Sequence, residues 1–239
     1  MSPNPLVIGH RGLGQTPAHG ENLASSLTGG WKQGLRVVEC DIRKTADGTW
    51  LVHHDATRER THGPRIAVSD LDWQTAPPWD REPPPTLPEL LSEVRRGRGL
   101  VIELKPDPSH DMETLTQLGE VLAGAPSPEE LMLISFEPGL LLHMRRILPW
   151  IPLGMLEASP SAHPHPGLEA VEADAWWPPV AAFEAKMVAE VQRTGRMVVA
   201  WTVRTDEACR AMEAAGVDGF GSDDPLQHAS LLRGEPPTR

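Results

Sequence analysis

Short apolar runs alternate with longer helical patterns along most of the chain, and this alternation constrains the fold more than any other sequence feature. Apolar runs of strand length separated by helical segments are typical of parallel sheets built from βα units. The sequence predicts strands at Leu6–His10, Val37–Arg43, Trp50–His54, Leu100–Lys105, Leu131–Phe136, Leu153–Glu157, Ala175–Trp177, Val198–Val203 and Gly219–Ser222. With Trp50–His54 taken as the hairpin partner of the second strand, eight βα repeats are left.

Eight repeats in a chain of 239 residues predict a TIM (β/α)8 barrel. A doubly wound open sheet remains the alternative, because periodicity alone does not show that a sheet closes. The length suits a single domain over residues 1–239, with a core at 5–232 and a tail at 234–239. The predicted helices are Glu21–Gln33, Leu87–Arg96, Met112–Ala123, Pro138–Leu148, Gly167–Glu172, Val180–Arg193, Thr205–Ala215 and Pro225–Leu232.

Turn and proline signals locate the connections between these elements. The segment Thr45-Ala-Asp-Gly48 separates two β-like runs, which predicts a hairpin that extends the second strand. Many of the 25 prolines cluster at 77–88 and 160–166. Proline lacks the N–H that a sheet or helix needs, so both segments are predicted to be surface loops. The first lies in the region between His54 and Glu103, which is predicted to be a short, proline-rich insertion.

Composition excludes several classes of protein. The net charge of −11 argues against the basic surface of a nucleic-acid binder. No window approaches the ~20 apolar residues of a membrane span, and the amino terminus lacks the pattern of a signal peptide. Cys40 and Cys209 are too few for a disulfide framework or a thiolate zinc site. We therefore expect a cytoplasmic protein without stable membrane insertion.

Three carboxylates are predicted to converge at one end of the sheet. Glu39 and Asp41 are two residues apart on a strand, so their side chains leave the same face, while Cys40 points to the other. Glu103 and Lys105 share a face of the next barrel strand by the same rule. Packed carboxylates repel unless they are protonated or neutralised, and a hard divalent cation removes that cost. We predict one bound Mg²⁺ or Ca²⁺, with Mn²⁺ as a further candidate, and disfavour zinc because thiolates are absent.

Two histidines are predicted at the same rim. His10 ends the first strand and His54 ends the hairpin strand, whereas His53 points to the opposite face and is interpreted as structural. Imidazoles titrate near neutral pH, so this pair can supply one general acid and one general base. Arg11 can donate two hydrogen bonds to a phosphate and Lys105 can add a point charge. These cations would supply the local positive field that the acidic chain lacks as a whole.

Seven segments together resemble one family. They are HRG at 10–12, GEN at 20–22, VECDIRKTADG at 38–48, HHD at 53–55, IELK at 102–105, WTV at 201–203 and GVDGFGSDDP at 216–225. In this order they resemble the glycerophosphodiester phosphodiesterase family, and the match extends from Leu6 to Pro225. HRG alone is weak evidence, but the four motifs HRG, E-x-D, HD and E-x-K in sequence, each at a strand end, are very specific.

The resemblance implies a TIM barrel that hydrolyses glycerophosphodiesters, such as glycerophosphocholine or glycerophosphoethanolamine, to glycerol 3-phosphate and an alcohol. It implies that His10 and His54 are the acid and base, and that Arg11 and Lys105 contact the phosphate. It further implies metal ligation by Glu39, Asp41 and Glu103, and an aromatic residue, Trp201, near the glycerol end of the pocket. Strand geometry gives the same assignments for the metal ligands and the histidines.

Three positions depart from the family pattern. Gly20 replaces the usual proline, Leu23 replaces the usual threonine, and Arg204 replaces the asparagine that often follows Trp-Thr-Val. The first two are expected to adjust a loop. Arg204 is predicted either to favour a more anionic leaving group or to pair with Asp223 or Asp206.

Two other functions are considered for the same fold. A lysophospholipase D or a sphingomyelinase-D-like enzyme would use the same fold on lipids, and Trp79, Trp176 and Trp177 could form a small apolar patch for it. A non-catalytic barrel that binds a phosphodiester should lack a histidine or a metal ligand, and all five groups are present.

Overall fold

Eight parallel strands close into a barrel in the computed structural model, which describes residues 4–14, 20–159, 164–181 and 184–235. The strands are β1 (Leu6–Gly9), β2 (Val37–Lys44), β3 (Trp50–Val52), β4 (Gly99–Leu104), β5 (Leu131–Ser135), β6 (Leu153–Leu156), β7 (Ala175–Trp177), β8 (Met197–Val203) and β9 (Gly219–Ser222). The pairing runs from β1 through β9, β8, β7, β6, β5 and β4 to β2, and β1 also pairs with β2. This last pairing closes the sheet and excludes the doubly wound alternative.

The extra strand β3 lies outside the barrel. It pairs antiparallel to β2, with Ile42 opposite Val52 and Lys44 opposite Trp50, as the turn signal predicted. The hairpin therefore carries His54 back towards the end of β2, where the predicted carboxylates lie.

The alternation of side chains divides the apolar core into two layers. A small cluster fills the barrel, and Ile8, Val101 and Ile134 belong to it. A larger cluster lies between the barrel and the helices, and it includes Cys40 and Ile102. Neighbouring residues of one strand therefore enter opposite layers, which leaves Glu39, Asp41 and Glu103 on the inner face.

Nine helices of the described segments surround the barrel. They are α1 (Ala24–Lys32), α2 (Glu59–His62), α3 (Leu87–Leu91), α4 (Met112–Ala123), α5 (Pro138–Ile147), α6 (His165–Ala170), α7 (Ala185–Gln192), α8 (Asp206–Ala215) and α9 (Pro225–Leu232). Side-chain oxygens of Asp111, Thr205 and Asp224 cap the amino ends of α4, α8 and α9. None of these helices is long and apolar enough to cross a bilayer.

Three helices begin or end at least three residues away from the prediction. The helix predicted at Val180–Arg193 begins only at Ala185. The helix predicted at Glu21–Gln33 begins only at Ala24, because Asn22 adopts a left-handed backbone conformation with φ of 57°. The helix predicted at Leu87–Arg96 ends at Leu91. After Leu91 the chain continues in tighter turns, in which the N–H of Val94 donates to the carbonyl of Leu91 at 3.1 Å and its side chain is buried.

The proline-rich insertion is organised around a buried arginine. Arg58 is fully buried, and its guanidinium donates to the carbonyl oxygens of His62, Pro77 and Pro78 at 2.8–3.2 Å. It also lies 4.0 Å from the centre of the Trp79 ring. These contacts hold α2, which the sequence did not predict, beside the predicted surface loop at 77–88. Part of the other predicted loop, residues 160–163, lies outside the described residues.

Candidate active site

The carboxyl ends of the barrel strands surround a cavity of about 240 Å³. Six of the residues singled out in the sequence for chemistry line it directly, namely His10, Arg11, Glu39, His54, Glu103 and Lys105. Trp201 forms part of its apolar wall. Asp41 is fully buried and pairs with Lys105. The structure thus brings all eight predicted site residues together.

The acidic cluster follows from strand register. Asp41 of β2 lies directly opposite Glu103 of β4, and Glu39 is two residues earlier on β2. Each of the three side chains offers one carboxylate oxygen, and these three oxygens all lie within 4.8 Å of one another. All three residues are buried, and Glu39 Oε1 has no hydrogen-bond partner. A buried oxygen without a donor fits a cation, so this cluster could hold a metal ion.

Burial and mutual repulsion perturb the titration of the cluster. Burial, reinforced by the charges of Asp41 and Glu103, raises the pKa of Glu39 well above its usual value. Burial and the charge of Asp41 also raise the pKa of Glu103 to about 7. Asp41 behaves oppositely: burial alone would raise its pKa, but Lys105 and then Arg11 hold that pKa well below the usual range. The triad therefore attracts positive charge.

Two cations meet the triad from the side. Lys105 Nζ lies 2.8 Å from Asp41 Oδ1 and 2.5 Å from Glu103 Oε1. Burial would lower the pKa of Lys105, but the charges of Asp41 and Glu103 raise it above its ordinary value. Arg11 Nε lies 3.2 Å from Asp41 Oδ2. Both side chains thus remain cationic beside the cavity.

The backbone at Arg11 is bent to aim its side chain. Arg11 has a φ of 55°, in the left-handed region that L residues seldom adopt, and such strain concentrates at functional sites. Its backbone N–H donates to Glu39 Oε2 at 3.0 Å, and its Nη1 donates to Glu21 Oε1 at 2.9 Å. The bend therefore brings the Arg11 N–H to the predicted metal ligand Glu39 and its guanidinium to Glu21 at the same time.

Asn22 supports Asp41 and was missed as a site residue. Its Nδ2 donates to Asp41 Oδ2 at 2.8 Å, and its Oδ1 accepts from the Asp41 backbone N–H at 3.1 Å. The motif GEN at 20–22 was the available signal, because asparagine tolerates the left-handed conformation that it adopts here.

Each predicted catalytic histidine is held by an aspartate and an arginine. His10 Nδ1 lies 2.6 Å from Asp223 Oδ1, and Arg204 Nε donates to Asp223 Oδ2 at 2.9 Å. Arg204 thus pairs with Asp223, one of the two partners predicted for it. With Nδ1 engaged, Nε2 is the nitrogen of His10 that remains for a substrate.

His54 repeats this arrangement on the other side. Its Nδ1 lies 2.6 Å from Asp55 Oδ1, and Arg60 Nε donates to Asp55 Oδ2 at 2.6 Å. Burial lowers the pKa of the His54 imidazole, although the charge of Asp41 opposes that shift. Its neighbour His53 is buried instead and contacts Thr61 Oγ1 at 3.2 Å.

An apolar wall faces the charged groups across the cavity. Trp201 packs edge-on against Phe136 with ring centroids 5.3 Å apart, and its Nε1 donates to the carbonyl of Trp177 at 3.0 Å. Trp176 and Trp177 are both buried. The apolar surface patch suggested for them and Trp79 is therefore wrong, because two of its three members lie inside the protein.

Comparison with known proteins agrees with the sequence resemblance. The model of the glycerophosphoryl diester phosphodiesterase family matches residues 10–227. A glycerophosphodiester phosphodiesterase of Caldanaerobacter subterraneus is 26% identical, with 95% of this chain and 98% of that relative covered. A phosphodiesterase of Oleispira antarctica, solved in complex with the product sn-glycerol-3-phosphate, superimposes with a TM-score of 0.88 at 25% identity, covering 97% of both chains.

A further solved structure supports the fold. A glycerophosphodiester phosphodiesterase from Parabacteroides distasonis superimposes with a TM-score of 0.83 at 21% identity, covering 98% of this chain and 99% of its own. The family model covers most of the chain, and the relatives match over nearly their whole length. The chain belongs to the glycerophosphoryl diester phosphodiesterase family and is a phosphodiesterase.

Proposed function

We propose that the chain hydrolyses glycerophosphodiesters to glycerol 3-phosphate and an alcohol, with a divalent cation held by Glu39, Asp41 and Glu103. The observation that carries this proposal is the buried triad of carboxylates in a cavity that is also lined by two aspartate-held imidazoles. The product bound to the Oleispira relative is the one this reaction would release.

The donor set favours a hard cation. Three carboxylates and no thiolate suit Mg²⁺ or Ca²⁺, with Mn²⁺ as a further candidate. When bound, such an ion supplies Lewis-acid stabilisation of the negative charge that grows on phosphoryl oxygens. Arg11 and Lys105 lie beside the two different carboxylate oxygens of Asp41, so their charges would bind and orient the phosphate next to the triad.

His10 and His54 would move the protons. One imidazole accepts the proton of the attacking hydroxyl and the other donates a proton to the departing alkoxide, each contributing about 10²–10⁴-fold. Asp223 and Asp55 hold the Nδ1 atoms, which directs the Nε2 atoms to the substrate and stabilises the imidazolium form. Trp201 and Phe136 offer an apolar surface for the carbon chain of the glycerol.

Two attackers fit this arrangement, and the products distinguish them. Water as the attacker gives glycerol 3-phosphate directly, whereas the neighbouring glycerol hydroxyl gives a cyclic phosphate first. Phosphorus NMR of an early time point separates the two, since only the second route accumulates a cyclic intermediate.

Four large apolar residues of the described segments are exposed, and they form no patch at the cavity for a lipid substrate. Leu6 and Met197 begin strands β1 and β8 and Trp150 precedes β6, so these three lie at the end of the barrel opposite the cavity. Met112, at the start of α4, lies at the cavity end. A soluble glycerophosphodiester is therefore favoured over a lysophospholipid or a sphingomyelin.

The test uses the purified protein after chelation. Aliquots are repleted with Mg²⁺, Ca²⁺ or Mn²⁺ and assayed on glycerophosphocholine, glycerophosphoethanolamine and lysophosphatidylcholine. We expect release of glycerol 3-phosphate from the soluble diesters only after repletion. Activity confined to the lysolipid would support the lipid alternative, and binding without turnover on all substrates would support a non-catalytic barrel.

A further inference from the structure

Arg60 contacts two carboxylates beside the site, those of Asp55 and Glu21, although it belongs to the insertion rather than to a strand. It lies on α2, between Arg58 and His62, which are both buried. The N–H of His62 donates to the Arg58 carbonyl at 2.8 Å, so the backbone on both sides of Arg60 is anchored. Its own side chain is 50% exposed and reaches from this anchored turn towards the cavity.

The first contact of Arg60 supports a predicted catalytic histidine. Its Nε donates to Asp55 Oδ2 at 2.6 Å, and Asp55 Oδ1 lies 2.6 Å from His54 Nδ1. The aspartate is thus held between a guanidinium and an imidazole. Without the guanidinium, the Asp55 carboxylate could rotate about its bond to Cβ, and the His54 ring would lose its fixed orientation.

The second contact supports the predicted phosphate-binding arginine. Arg60 Nη1 and Nη2 donate to the two carboxylate oxygens of Glu21 at 2.7 and 2.6 Å, as a bidentate pair. Glu21 Oε1 in turn accepts from Arg11 Nη1 at 2.9 Å. The side chains of Arg11 and Glu21 are only 10% and 11% exposed, so water competes weakly for this pair.

Arg60 differs in this respect from Arg204 on the opposite side of the cavity. Among the described residues, Arg204 donates from its Nε to one carboxylate, that of Asp223. Arg60 uses Nε, Nη1 and Nη2 together on two different carboxylates. Lysine has a single ammonium and cannot reproduce that planar set of donors.

We propose that Arg60 is a positioning residue that couples the two parts of the site, orienting Arg11 through Glu21 and His54 through Asp55. This inference rests on the proposed function, in which Arg11 binds the phosphate and His54 transfers a proton. The insertion thereby becomes part of the machinery, because it delivers the one side chain that joins substrate binding to proton transfer among the described residues.

The test separates the two contacts by kinetics and by binding. Four variants are compared, namely Glu21→Gln, Asp55→Asn, Arg60→Lys and Arg60→Ala. Glu21→Gln should raise KM and weaken the binding of sn-glycerol 3-phosphate, measured by calorimetry, with little change in kcat. Asp55→Asn should lower kcat with little change in product binding. Arg60→Lys should raise KM and also lower kcat, each by about tenfold to a hundredfold. This is the range usual for groups that hold a ligating side chain.

A double variant and chemical rescue sharpen the assignment. Once Glu21→Gln is present, Arg60→Lys should raise KM by much less than it does alone, because both changes break the same contact. Added guanidinium ion should restore part of the activity of Arg60→Ala but none of that of Glu21→Gln. Arg65→Ala is the matched control, since Arg65 is 77% exposed in the same segment and approaches Glu59 only to 3.8 Å.

The outcomes distinguish this inference from the function on which it rests. If the native protein hydrolyses glycerophosphodiesters but Arg60→Lys keeps kcat, KM and product affinity within twofold, the inference is overturned and the function stands. The same holds if Arg60→Lys lowers only the melting temperature. If the native protein neither hydrolyses a glycerophosphodiester nor binds sn-glycerol 3-phosphate with Mg²⁺, Ca²⁺ or Mn²⁺ present, both the inference and the proposed function are overturned.

Discussion

Replacing Glu103 by glutamine should stabilise the metal-free protein at alkaline pH, although it removes a proposed metal ligand. Burial, followed by the charge of Asp41, raises the pKa of Glu103 from 4.5 to about 7. Between these pH values the folded protein retains a proton that the unfolded chain has released. The stability contributed by this proton is therefore complete below pH 4.5 and is lost as the pH rises to about 7.

The size of this loss follows from the two pKa values. At ~1.4 kcal/mol per pH unit, the difference between 4.5 and about 7 amounts to about 3 kcal/mol of unfolding free energy. Glutamine resembles the protonated acid and avoids the loss, while Lys105 keeps its contact with Asp41 at 2.8 Å. The unfolding free energy of metal-free Glu103→Gln should thus be higher than that of the native protein by about 3 kcal/mol at pH 8, and by less than about 1 kcal/mol at pH 5.

Thermal unfolding of chelator-treated protein, followed by circular dichroism at pH 5 and pH 8, measures this difference. For a chain of this length, ~2–4 °C per kcal/mol gives a melting temperature roughly 6–12 °C higher for the variant at pH 8. Both proteins carry the same histidines, so comparing their melting temperatures at the same pH cancels the contribution of the histidines to stability. Glu120→Gln, an exposed change on α4, is the control and should have little effect.

Adding the cation should reverse the order of stability. Saturating Mg²⁺ or Ca²⁺ stabilises the folded native protein by mass action, whereas the variant lacks one of the three carboxylates. The reasoning is refuted if metal-free Glu103→Gln is less stable than the native protein at pH 8. That result would mean that Glu103 is ionised and net favourably paired with Lys105 without any cation.

Three further predictions concern the histidines and the arginines. His10→Ala and His54→Ala should each abolish turnover while leaving the circular dichroism spectrum unchanged, and near-native rates in both would remove the acid–base assignment. Asp223→Asn should lower kcat by about 10²-fold or more, since it removes the group that orients His10. Arg204→Asn should change kcat/KM less than about fivefold, because the Arg204 side chain is 66% exposed. Arg58→Met should lower the unfolding free energy by about 1–3 kcal/mol in urea titration, since it leaves the buried carbonyl of His62 without its two guanidinium donors. An unchanged midpoint would contradict the role of Arg58 in holding the insertion.

The barrel could be predicted from sequence because its signals are local. Strand alternation alone places Glu39 and Asp41 on one face and Cys40 on the other, and the structure has the same division. The hairpin after β2 was likewise predictable from Thr45-Ala-Asp-Gly48. Closure of the sheet was predicted only indirectly, from the count of eight βα repeats, because the pairing of β1 with β2 and β9 depends on contacts across the whole chain.

The groups that orient the site were harder to predict for the same reason. Asp223 is 213 residues away from His10 in the sequence, and Arg60 is 39 residues away from Glu21. A short helix such as α2 has no periodic pattern, since four residues form about one turn. Its position depends on tertiary contacts of Arg58, and so the sequence predicted no helix there.

The charge balance at the mouth links the cation to substrate binding. Six carboxylates and four cations of the described residues are joined there by ion pairs and hydrogen bonds, namely Glu21, Glu39, Asp41, Asp55, Glu103 and Asp223 with Arg11, Arg60, Lys105 and Arg204. Fully ionised, they leave an excess of two negative charges, which would repel a phosphodiester anion. Protons compensate that excess where burial raises the pKa of Glu39 and Glu103, and one dication would replace them. The site is therefore near neutral either with two protons or with one dication, so metal binding should release protons. As the pH rises above about 7, Glu103 loses its proton and the metal-free site becomes negative, so binding of an anionic substrate then depends on the cation.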